Sequence, residues 1–403
     1  MVEFDGVAPV RTEKVTSSAE VAELLSAQAA AGASAAVTVV PVGGGTAMGI
    51  GNVIDRIDLA VDLSSMRGVE NYNPADLTLT ARAGTTLEEL QGELALHGQE
   101  LAIEAPFADR ATVGGLVATA FAGPRRYGSG TLKDLLIGAS FVRGDGLAAK
   151  AGGMVVKNVS GFEMSRFLHG SWGTLAVVTS ANFKVTPIPK ADRTLSVPFA
   201  TVAAAVDAFR AALEAGLRPA AAEIEWSARP GEAMLHVRLL GGPAGVDSQE
   251  TTFERSLVRL PQERRDGDES KAFWRSLGER WGQAPDGGVQ LAVGVRPRET
   301  AEIMALLAGP ESGLGVEAVL VSPGVGTVRL RFPTAAVAPA DLWGRLSPLR
   351  ARTAGTAAVE FAPAAWRRQV DVWGPPPPSI GMMKALKREF DPQGILNRGR
   401  MMV

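Results

Sequence analysis

Residues 37–46 read VTVVPVGGGT, an apolar run that ends in three glycines and a threonine. The β-branched residues before the glycines predict a short buried strand. Consecutive glycines after a strand let backbone N–H groups converge on one concavity, a nest suited to a pyrophosphate, and anionic oxygens approach closely where Cβ is missing. The alternative is an ordinary glycine-rich turn. Neither the G-x-G-x-x-G fingerprint nor the lysine of a P-loop is present.

Around this stretch the sequence pattern predicts a first domain that contains both helices and strands. We expect a helix over residues 17–32, strands over 59–64, 77–84, 135–142 and 175–185, and helices over about 86–97 and 112–121. The TPIP sequence at 186–189 cannot continue a central strand, because its prolines lack the N–H that a ladder needs. A domain boundary is therefore predicted there, with the first domain at 1–188.

Beyond the boundary, two passes of strand, helix, strand, strand and helix follow each other up to residue 361. This order predicts an α+β domain over residues 189–372, in which two ferredoxin-like units share one antiparallel sheet flanked by helices. A stiff WGPPPP spacer opens the last segment, 373–403. Its apolar end is expected to return to the first domain.

A second glycine-rich constellation lies about seventy residues after the first. ATVGGLVAT at 111–119 places two glycines at the start of a predicted helix, followed by RYG at 126–128. Free N–H groups at a helix start would form a second anion site; packing of small residues is the alternative. A third group is GGMVVKNVSGF at 152–162, with GSWGTL at 170–175.

Taken in order, P-x-G-G-G-T, T-V-G-G-L-V-A-T, Y-G, V-K-N-V-S-G-F and G-S-W-G-T-L resemble the PCMH-type FAD-binding domain of the vanillyl-alcohol oxidase family. The run 153–175 and the closing FDPQGILNRGR resemble the E subunits of bacterial glycolate oxidases in particular. The resemblance covers residues 35–190 and about the last fifteen.

The resemblance implies a two-lobed FAD domain followed by a cap domain, with FAD between the two lobes. It places the pyrophosphate on the first glycine loop and the C-terminal asparagine near the flavin ring. Two positions depart from relatives, which often have Arg at Val42 and Tyr at Phe162. The cofactor-binding residues implied are Val42, Gly43, Gly44, Gly45, Thr46, Gly51, Asn52, Thr112, Gly114, Gly115, Ala118, Tyr127, Gly128, Val177 and Asn397.

Composition narrows the function classes. The 403 residues are 46% apolar and carry a net charge of −2, so no general field attracts nucleic acid or acidic lipid. No segment offers the roughly 20 uncharged residues of a membrane span. With no cysteine, neither disulfides, nor cysteinyl iron–sulfur ligation, nor a cysteinyl flavin bond is available. We expect a soluble, cytoplasmic protein, with peripheral attachment to the inner membrane through a partner left open, and a non-covalent FAD.

Catalytic side chains are scarce. The three histidines are isolated, so the His-x-His cluster of many relatives, often with a metal, is missing and no metal is expected. His236, in the middle of a predicted strand, is the weak candidate for a base. Arg238, Arg329 and Arg331 could hold a carboxylate. The carboxylates Glu223 and Glu225 are interpreted as a solvated sheet face. The charge runs at 264–266 and 384–388 are interpreted as parts of helices or loops that face solvent or a subunit contact.

Three hypotheses remain. The first is a flavin subunit that lacks a full substrate site and works with a catalytic flavin subunit and an iron–sulfur subunit of a glycolate oxidase-type complex, where a small 2-hydroxy acid is oxidised. The second is a self-sufficient FAD-dependent dehydrogenase of another small 2-hydroxy acid or alcohol. The third is a scaffold that has lost the cofactor, which the intact glycine motifs disfavour.

Overall fold

The chain forms two compact units in a computed structural model that describes residues 4–32, 37–154, 164–228, 232–258, 260–309, 312–347 and 356–403. The first unit comprises residues up to 122, residues 130–188 and residues 376–403. The second comprises residues 123–129 and 189–375. Residues 123–129 therefore belong to the second unit, although the segments before and after them belong to the first. The C-terminal segment also belongs to the first unit.

The strands of the described residues are β1 (Arg11–Lys14), β2 (Val39–Val42), β3 (Leu59–Asp62), β4 (Val69–Asn73), β5 (Thr78–Arg82), β6 (Gln99–Glu100), β7 (Leu136–Arg143), β8 (Ala148–Gly152), β9 (Ala176–Lys184), β10 (Thr186–Pro187), β11 (Ala191–Phe199), β12 (Ala221–Ser227), β13 (Ala233–Gly241), β14 (Glu263–Asp266), β15 (Gly288–Gly294), β16 (Ala318–Ser322), β17 (Thr327–Pro333) and β18 (Ala357–Phe361). The helices are α1 (Ser18–Gly32), α2 (Leu87–Ala95), α3 (Val113–Thr119), α4 (Arg126–Ser129), α5 (Leu132–Leu135), α6 (Ser165–Leu168), α7 (Val202–Glu214), α8 (Pro243–Ser256), α9 (Gly267–Trp281), α10 (Thr300–Ala308), α11 (Leu342–Arg345), α12 (Ala364–Arg367) and α13 (Ile380–Phe390).

The first unit contains two main sheets. A parallel sheet has the order β1-β3-β2, and an antiparallel sheet has the order β4-β5-β9-β7-β8. The glycine loop follows β2, at the edge of the parallel sheet. Helix α2 begins with a reciprocal capping box, in which Thr86 accepts from the Glu89 backbone and Glu89 accepts from the Thr86 backbone. The start of α2 is hydrogen-bonded to the start of α3, since Leu87 N–H donates to Ala111 O at 2.8 Å and Val113 N–H donates to Thr85 O at 2.9 Å.

One antiparallel sheet runs through the second unit, in the order β14-β11-β13-β12-β16-β17-β15-β18. The first four strands have the 4-1-3-2 order of a ferredoxin-like unit. The last four strands have the same order, read across the sheet from the opposite edge. The two halves join where β12 pairs with β16. The α+β fold with a duplicated ferredoxin-like second domain, predicted from the element order, is confirmed.

The two faces of this sheet differ, because alternate residues of a strand point to opposite sides. One face is apolar and packs against α7, α8 and α10 through residues such as Leu235, Phe209 and Phe253. The other face carries polar side chains, and α9 covers part of it. On that side Trp274 Nε1 donates to Thr194 Oγ1 at 2.7 Å. The polar face is thus largely buried as well.

Two charge runs differ from the prediction. Residues 264–266 lie in β14, an edge strand paired with β11, and not in a helix or loop. Within the run 384–388, Lys387 is mostly buried, with a side chain only 12% exposed. Charge alone predicts solvent exposure, but a buried partner, here Asp391, reverses that expectation. Strands β1, β4 and β8 were also not predicted, since they are mostly exposed and lack a buried face.

Candidate functional site

The loop after β2 requires glycine at two positions because it lies directly against a second loop. A Cβ on Gly43 would overlap Thr112 Oγ1, and a Cβ on Gly44 would overlap the carbonyl oxygen of Arg110. Gly45 has a φ of +72°, the left-handed region that glycine adopts without strain. The loop is half-exposed. The two glycine motifs, distant in sequence, therefore meet at one place in the first unit.

At the start of α3, two of the N–H groups that the sequence suggested for an anion are already occupied. Val113 N–H donates to Thr85 O at 2.9 Å, and Gly114 N–H donates to Ala83 O at 2.8 Å. A Cβ on Gly114 would lie 3.0 Å from the Cβ of Ala83. Gly114 therefore serves close packing, which was the alternative. The second anion site stays a prediction for the N–H of Gly115.

Asn397 lies beside β2. Its backbone N–H donates to Val39 O at 2.9 Å, and its Nδ2 donates to Trp172 O at 2.7 Å. A Cβ on Gly173 would lie 2.8 Å from that Nδ2 and 3.1 Å from Pro41 Cγ. Asn397 has a φ of +43° and is 3% exposed. The structure therefore places the C-terminal asparagine and the GSWGTL turn beside the strand that leads into the glycine loop.

A buried ion pair secures this C-terminal segment. Lys387 Nζ donates to Asp391 Oδ2 at 2.6 Å, to Thr174 O at 2.6 Å and to Leu396 O at 3.0 Å. Asp391 also accepts from the backbone N–H groups of Ile395 and Leu396. Burial lowers the pKa of Lys387, against the opposing effect of Asp391. The pair joins α13 to the residue before Asn397 and to the GSWGTL turn.

The remaining first-unit candidates have different settings. Asn52 N–H donates to Arg400 O at 3.0 Å, and Gly51 lies against the Arg400 side chain, so both contact the C-terminal tail. Val42 and Val177 are buried in apolar clusters, which leaves only their main chains for a cofactor. Ala118 O accepts from Trp172 N–H. Thr46 is half-exposed in the loop.

Tyr127 and Gly128 belong to the second unit. The Tyr127 ring packs edge-on to Phe209 with centroids 6.1 Å apart, and it closely contacts Gly324. Gly128 N–H donates to Ala220 O at 3.1 Å. All of these contacts lie within the second unit. The V-K-N-V-S-G-F motif, including Phe162, lies outside the described residues.

His236 does not have the setting of a catalytic base. It is 4% exposed, its Nδ1 lies 2.9 Å from Ser196 Oγ, and its Nε2 lies 3.5 Å from Glu225 Oε2. Phe273 of α9 covers the ring, with centroids 4.6 Å apart. These contacts make His236 a structural residue of the polar face. No group of three or more His, Asp or Glu side chains in the described ranges could hold a metal ion.

All three candidate arginines have partners within the second unit. Arg238 forms a two-pronged ion pair with Asp192, at 3.0 and 2.6 Å. Arg331 donates to Gln290 Oε1 and to two main-chain carbonyls, and it stacks on Trp281. Arg329 pairs through Nε with Glu360. The predicted clamp of three arginines is therefore not assembled.

Glu223 and Glu225 are not a solvated pair, which corrects the sequence interpretation. Burial raises the pKa of Glu223 to about 7, although Ser322 and two arginines act in the opposite direction. Glu225 is half-buried, which raises its pKa, but bonds from His236, Trp281 and Arg280 outweigh that effect and lower the pKa to about 2. Their spacing showed that they share a face but not that α9 and the neighbouring strands cover it.

The first-unit cluster has the features expected of a FAD site. Thr112 Oγ1 and Asn397 Oδ1 are buried and have no hydrogen-bond partner within the described part of the chain. Buried polar atoms normally have partners, so each such atom needs an explanation. A cofactor rich in hydrogen-bonding groups, bound across the glycine loop, would supply partners for both. The residues therefore fit the group that the resemblance implies.

This fit predicts that Thr112→Val weakens FAD binding and leaves the apoprotein as stable as before. The hydroxyl makes no bond that the apoprotein would lose, whereas a bond to the cofactor contributes about 1 kcal/mol, or roughly a fivefold change in affinity. Flavin fluorescence titration measures the first effect and thermal unfolding the second. Thr12→Val, an exposed position on β1, is the control. Unchanged FAD affinity in Thr112→Val would contradict the assignment.

The comparisons with known proteins also indicate a FAD-binding protein. The family model described as FAD binding domain matches residues 12–152. The model described as FAD linked oxidases, C-terminal domain, matches residues 188–240 and 376–401. The two models together match more than half of the chain. The second model matches part of the second unit and, at 376–401, the C-terminal segment of the first unit.

Individual relatives are similar over shorter stretches. The Escherichia coli glycolate oxidase subunit GlcE is 34% identical over 55% of this chain and 58% of its own length. A D-lactate dehydrogenase of Archaeoglobus fulgidus is 32% identical over 40% of this chain and 36% of its own length. The Bacillus subtilis glycolate oxidase subunit GlcD is 27% identical over 46% of this chain and 40% of its own length. The matches thus span less than two thirds of these curated relatives.

A solved structure described as alkyldihydroxyacetonephosphate synthase superposes with a TM-score of 0.70. The superposition covers 96% of this chain and 76% of that chain, at 16% sequence identity. At this identity the likeness concerns the fold alone. Because the superposition covers 96% of this chain, the similarity of fold includes residues of both units.

Proposed function

Since the chain belongs to the family of FAD-linked oxidases, we propose that it is the flavin-bearing subunit of a complex that oxidises glycolate or a related small 2-hydroxy acid. Its similarity to GlcE, a glycolate oxidase subunit, supports this assignment. The FAD is held without a covalent bond, over the glycine loop and beside Asn397. When bound, it supplies the redox centre, and the chain's own residues orient it and exclude water.

The observation that carries the proposal is that candidate catalytic side chains on the second unit's polar face are already held by neighbouring residues. The candidate base His236 is enclosed by Ser196, Glu225 and Phe273. Arg238 and Arg331 are fully engaged with partners of the same unit. The self-sufficient dehydrogenase needs a base and a clamp that are free to meet a substrate. The proposal of a subunit that depends on a partner for its electrons needs neither.

The partners are proposed from the relatives. Since the similar proteins include the glycolate oxidase subunits GlcE and GlcD, we assign substrate oxidation to a catalytic flavin subunit and onward electron transfer to an iron–sulfur subunit. Within the described residues, no helix is long and apolar enough to cross a bilayer. We also propose that the complex works in the cytoplasm, with any contact to the inner membrane made through partners.

The test is anaerobic addition of glycolate to the purified, FAD-loaded chain. The flavin absorption bands are expected to persist when the chain is alone and to bleach once the partner subunits are added. A scan of other 2-hydroxy acids under the same conditions serves as the control for substrate choice. Bleaching of the flavin in the isolated chain by any of these acids would overturn the proposal in favour of a self-sufficient dehydrogenase.

A further inference from the structure

The three stretches of chain that form the candidate FAD site contain no charged side chain. Residues 41–52, 111–119 and 170–175 include no Asp, Glu, Lys or Arg. Converging backbone N–H groups carry only partial positive charge, whereas the pyrophosphate of FAD is doubly negative. Taking such a charge out of water is costly unless an opposite charge lies close to it. A cation from another part of the chain would meet this requirement.

Arg400, in the C-terminal tail, brings a guanidinium group to this surface. It follows Asn397 closely in the sequence and is only 3% exposed. Its Nη2 donates to the carbonyl oxygen of Ala47 at 2.5 Å. Ala47 directly follows Thr46, the last residue of the glycine loop. The charged end of Arg400 therefore lies at the end of the loop that is expected to hold the pyrophosphate.

The ring of Trp172 lies against the same guanidinium group. Arg400 Cζ is 5.6 Å from the ring centroid, a distance typical of a cation–π contact. Trp172 has a φ of +54°, which is uncommon for a bulky residue. Its N–H donates to Ala118 O at 2.8 Å, and its carbonyl oxygen accepts from Asn397 Nδ2 at 2.7 Å. The main chain thus fixes Trp172, and Arg400 contacts two of the motifs at once.

Gly51 and Asn52 hold the main chain of Arg400 in place. Asn52 N–H donates to Arg400 O at 3.0 Å, and Arg400 N–H donates to Asn397 O at 3.0 Å. A Cβ on Gly51 would lie 3.0 Å from Arg400 Cγ, and Gly51 has a φ of +94°. Only glycine meets both conditions without strain. The two residues that the resemblance assigns to the cofactor therefore contact Arg400, and they act on the cofactor by positioning it.

Three other cations near the site are less suited to the same role. Lys387 Nζ donates to the carbonyl oxygen of Thr174, but it also forms the buried ion pair with Asp391. The carbonyl oxygen of Arg110 lies against the glycine loop, but its side chain is 57% exposed and lies over the Phe107 ring. The side chain of Arg398 is exposed. Arg400 combines burial with a hydrogen bond to the end of the loop.

We propose that Arg400 binds the pyrophosphate of FAD and supplies the positive charge that the glycine loop lacks, while Trp172 orients the guanidinium group. A guanidinium group can present two N–H groups to phosphate oxygens, which favours Arg over Lys. The consequence is selectivity among flavins. FAD gains affinity from Arg400, whereas riboflavin, which has the same ring system and no phosphate, does not. The inference rests on the FAD site of the proposed function and adds a residue that determines its specificity.

The experiment is a fluorescence titration of the whole chain, freed of its cofactor, with FAD and with riboflavin. ADP, which carries the diphosphate without the flavin, is added as a competitor of FAD. Arg400→Gln is expected to weaken FAD and ADP binding about tenfold or more and riboflavin binding less than about twofold. Arg400→Lys keeps the charge and should lose less. Arg398→Gln, an exposed arginine of the same tail, is the matched control and should bind all three ligands normally.

The outcomes separate this inference from the proposed function. If Arg400→Gln weakens all three ligands by the same factor, or none of them, Arg400 only stabilises the tail, and the inference is overturned while the flavin subunit assignment stands. Should riboflavin bind too weakly to measure, the lysine variant decides. Recovery of FAD and ADP affinity in Arg400→Lys relative to Arg400→Gln supports the role of the charge, and equal losses overturn it. A wild-type chain that binds neither FAD nor ADP overturns both the inference and the proposed function.

Discussion

Gly44→Ala is expected to yield a folded chain that retains almost no FAD. A methyl group at this position would overlap the Arg110 carbonyl oxygen, which is main chain and cannot rotate away. The loop must move off the 110–112 segment, and the backbone N–H groups then lose their convergence. We expect FAD affinity to fall at least tenfold, about 1.4 kcal/mol, measured by the ratio of flavin to protein absorbance after gel filtration.

Gly92→Ala is the matched control for this substitution. Gly92 lies in α2 of the same unit, and a Cβ there would meet nothing within 4 Å. Alanine should stabilise that helix by up to about 1 kcal/mol and leave FAD content unchanged. Normal FAD retention in Gly44→Ala would show that the close approach of the two loops is not what forms the cradle.

Asp391→Ala is expected to lower the free energy of unfolding of the first unit by about 3–5 kcal/mol, the usual cost of leaving one member of a buried ion pair alone. The variant removes the acceptor for Lys387 Nζ and for the N–H groups of Ile395 and Leu396. Asn397, the next residue, then loses its fixed position. Urea unfolding followed by circular dichroism measures the stability, and flavin content measures the second effect.

Glu389→Ala is the control on the same helix, since its carboxylate is 73% exposed and lies 3.6 Å from Arg143. A surface pair of this kind contributes at most about 1 kcal/mol. If Asp391→Ala were no more destabilising than Glu389→Ala, the buried pair would not be what holds the C-terminal segment. Asp391→Asn should fall between the two, because it keeps the shape and one acceptor oxygen.

The sequence contained enough information for most of the fold. Residues 37–46 predicted a strand and a constrained loop, because β-branched residues and consecutive glycines have strong local preferences. The order of elements after residue 189 predicted two ferredoxin-like halves, and the observed 4-1-3-2 strand order agrees with it. Such features depend on local pattern and chain order, both of which a single sequence displays.

The site was harder to predict, because its details depend on contacts between distant residues. The N–H of Gly114 is used by Ala83, thirty-one positions earlier, and no local signal shows that. Glu223 and Lys387 resembled surface charges, yet Ser322 and Asp391 are their partners in the interior. The spacing of Arg329 and Arg331 on β17 placed them on one face but did not show that Arg126, from another segment, hydrogen-bonds to Thr327 of the same strand.

The absorption spectrum of the chain purified alone tests the central claim most directly. The account predicts flavin bands corresponding to equimolar FAD, released completely into the supernatant by acid because no covalent bond holds it. A colourless chain that takes up no added FAD would contradict the account, since the glycine loop, Thr112 and Asn397 would then form a scaffold without a cofactor.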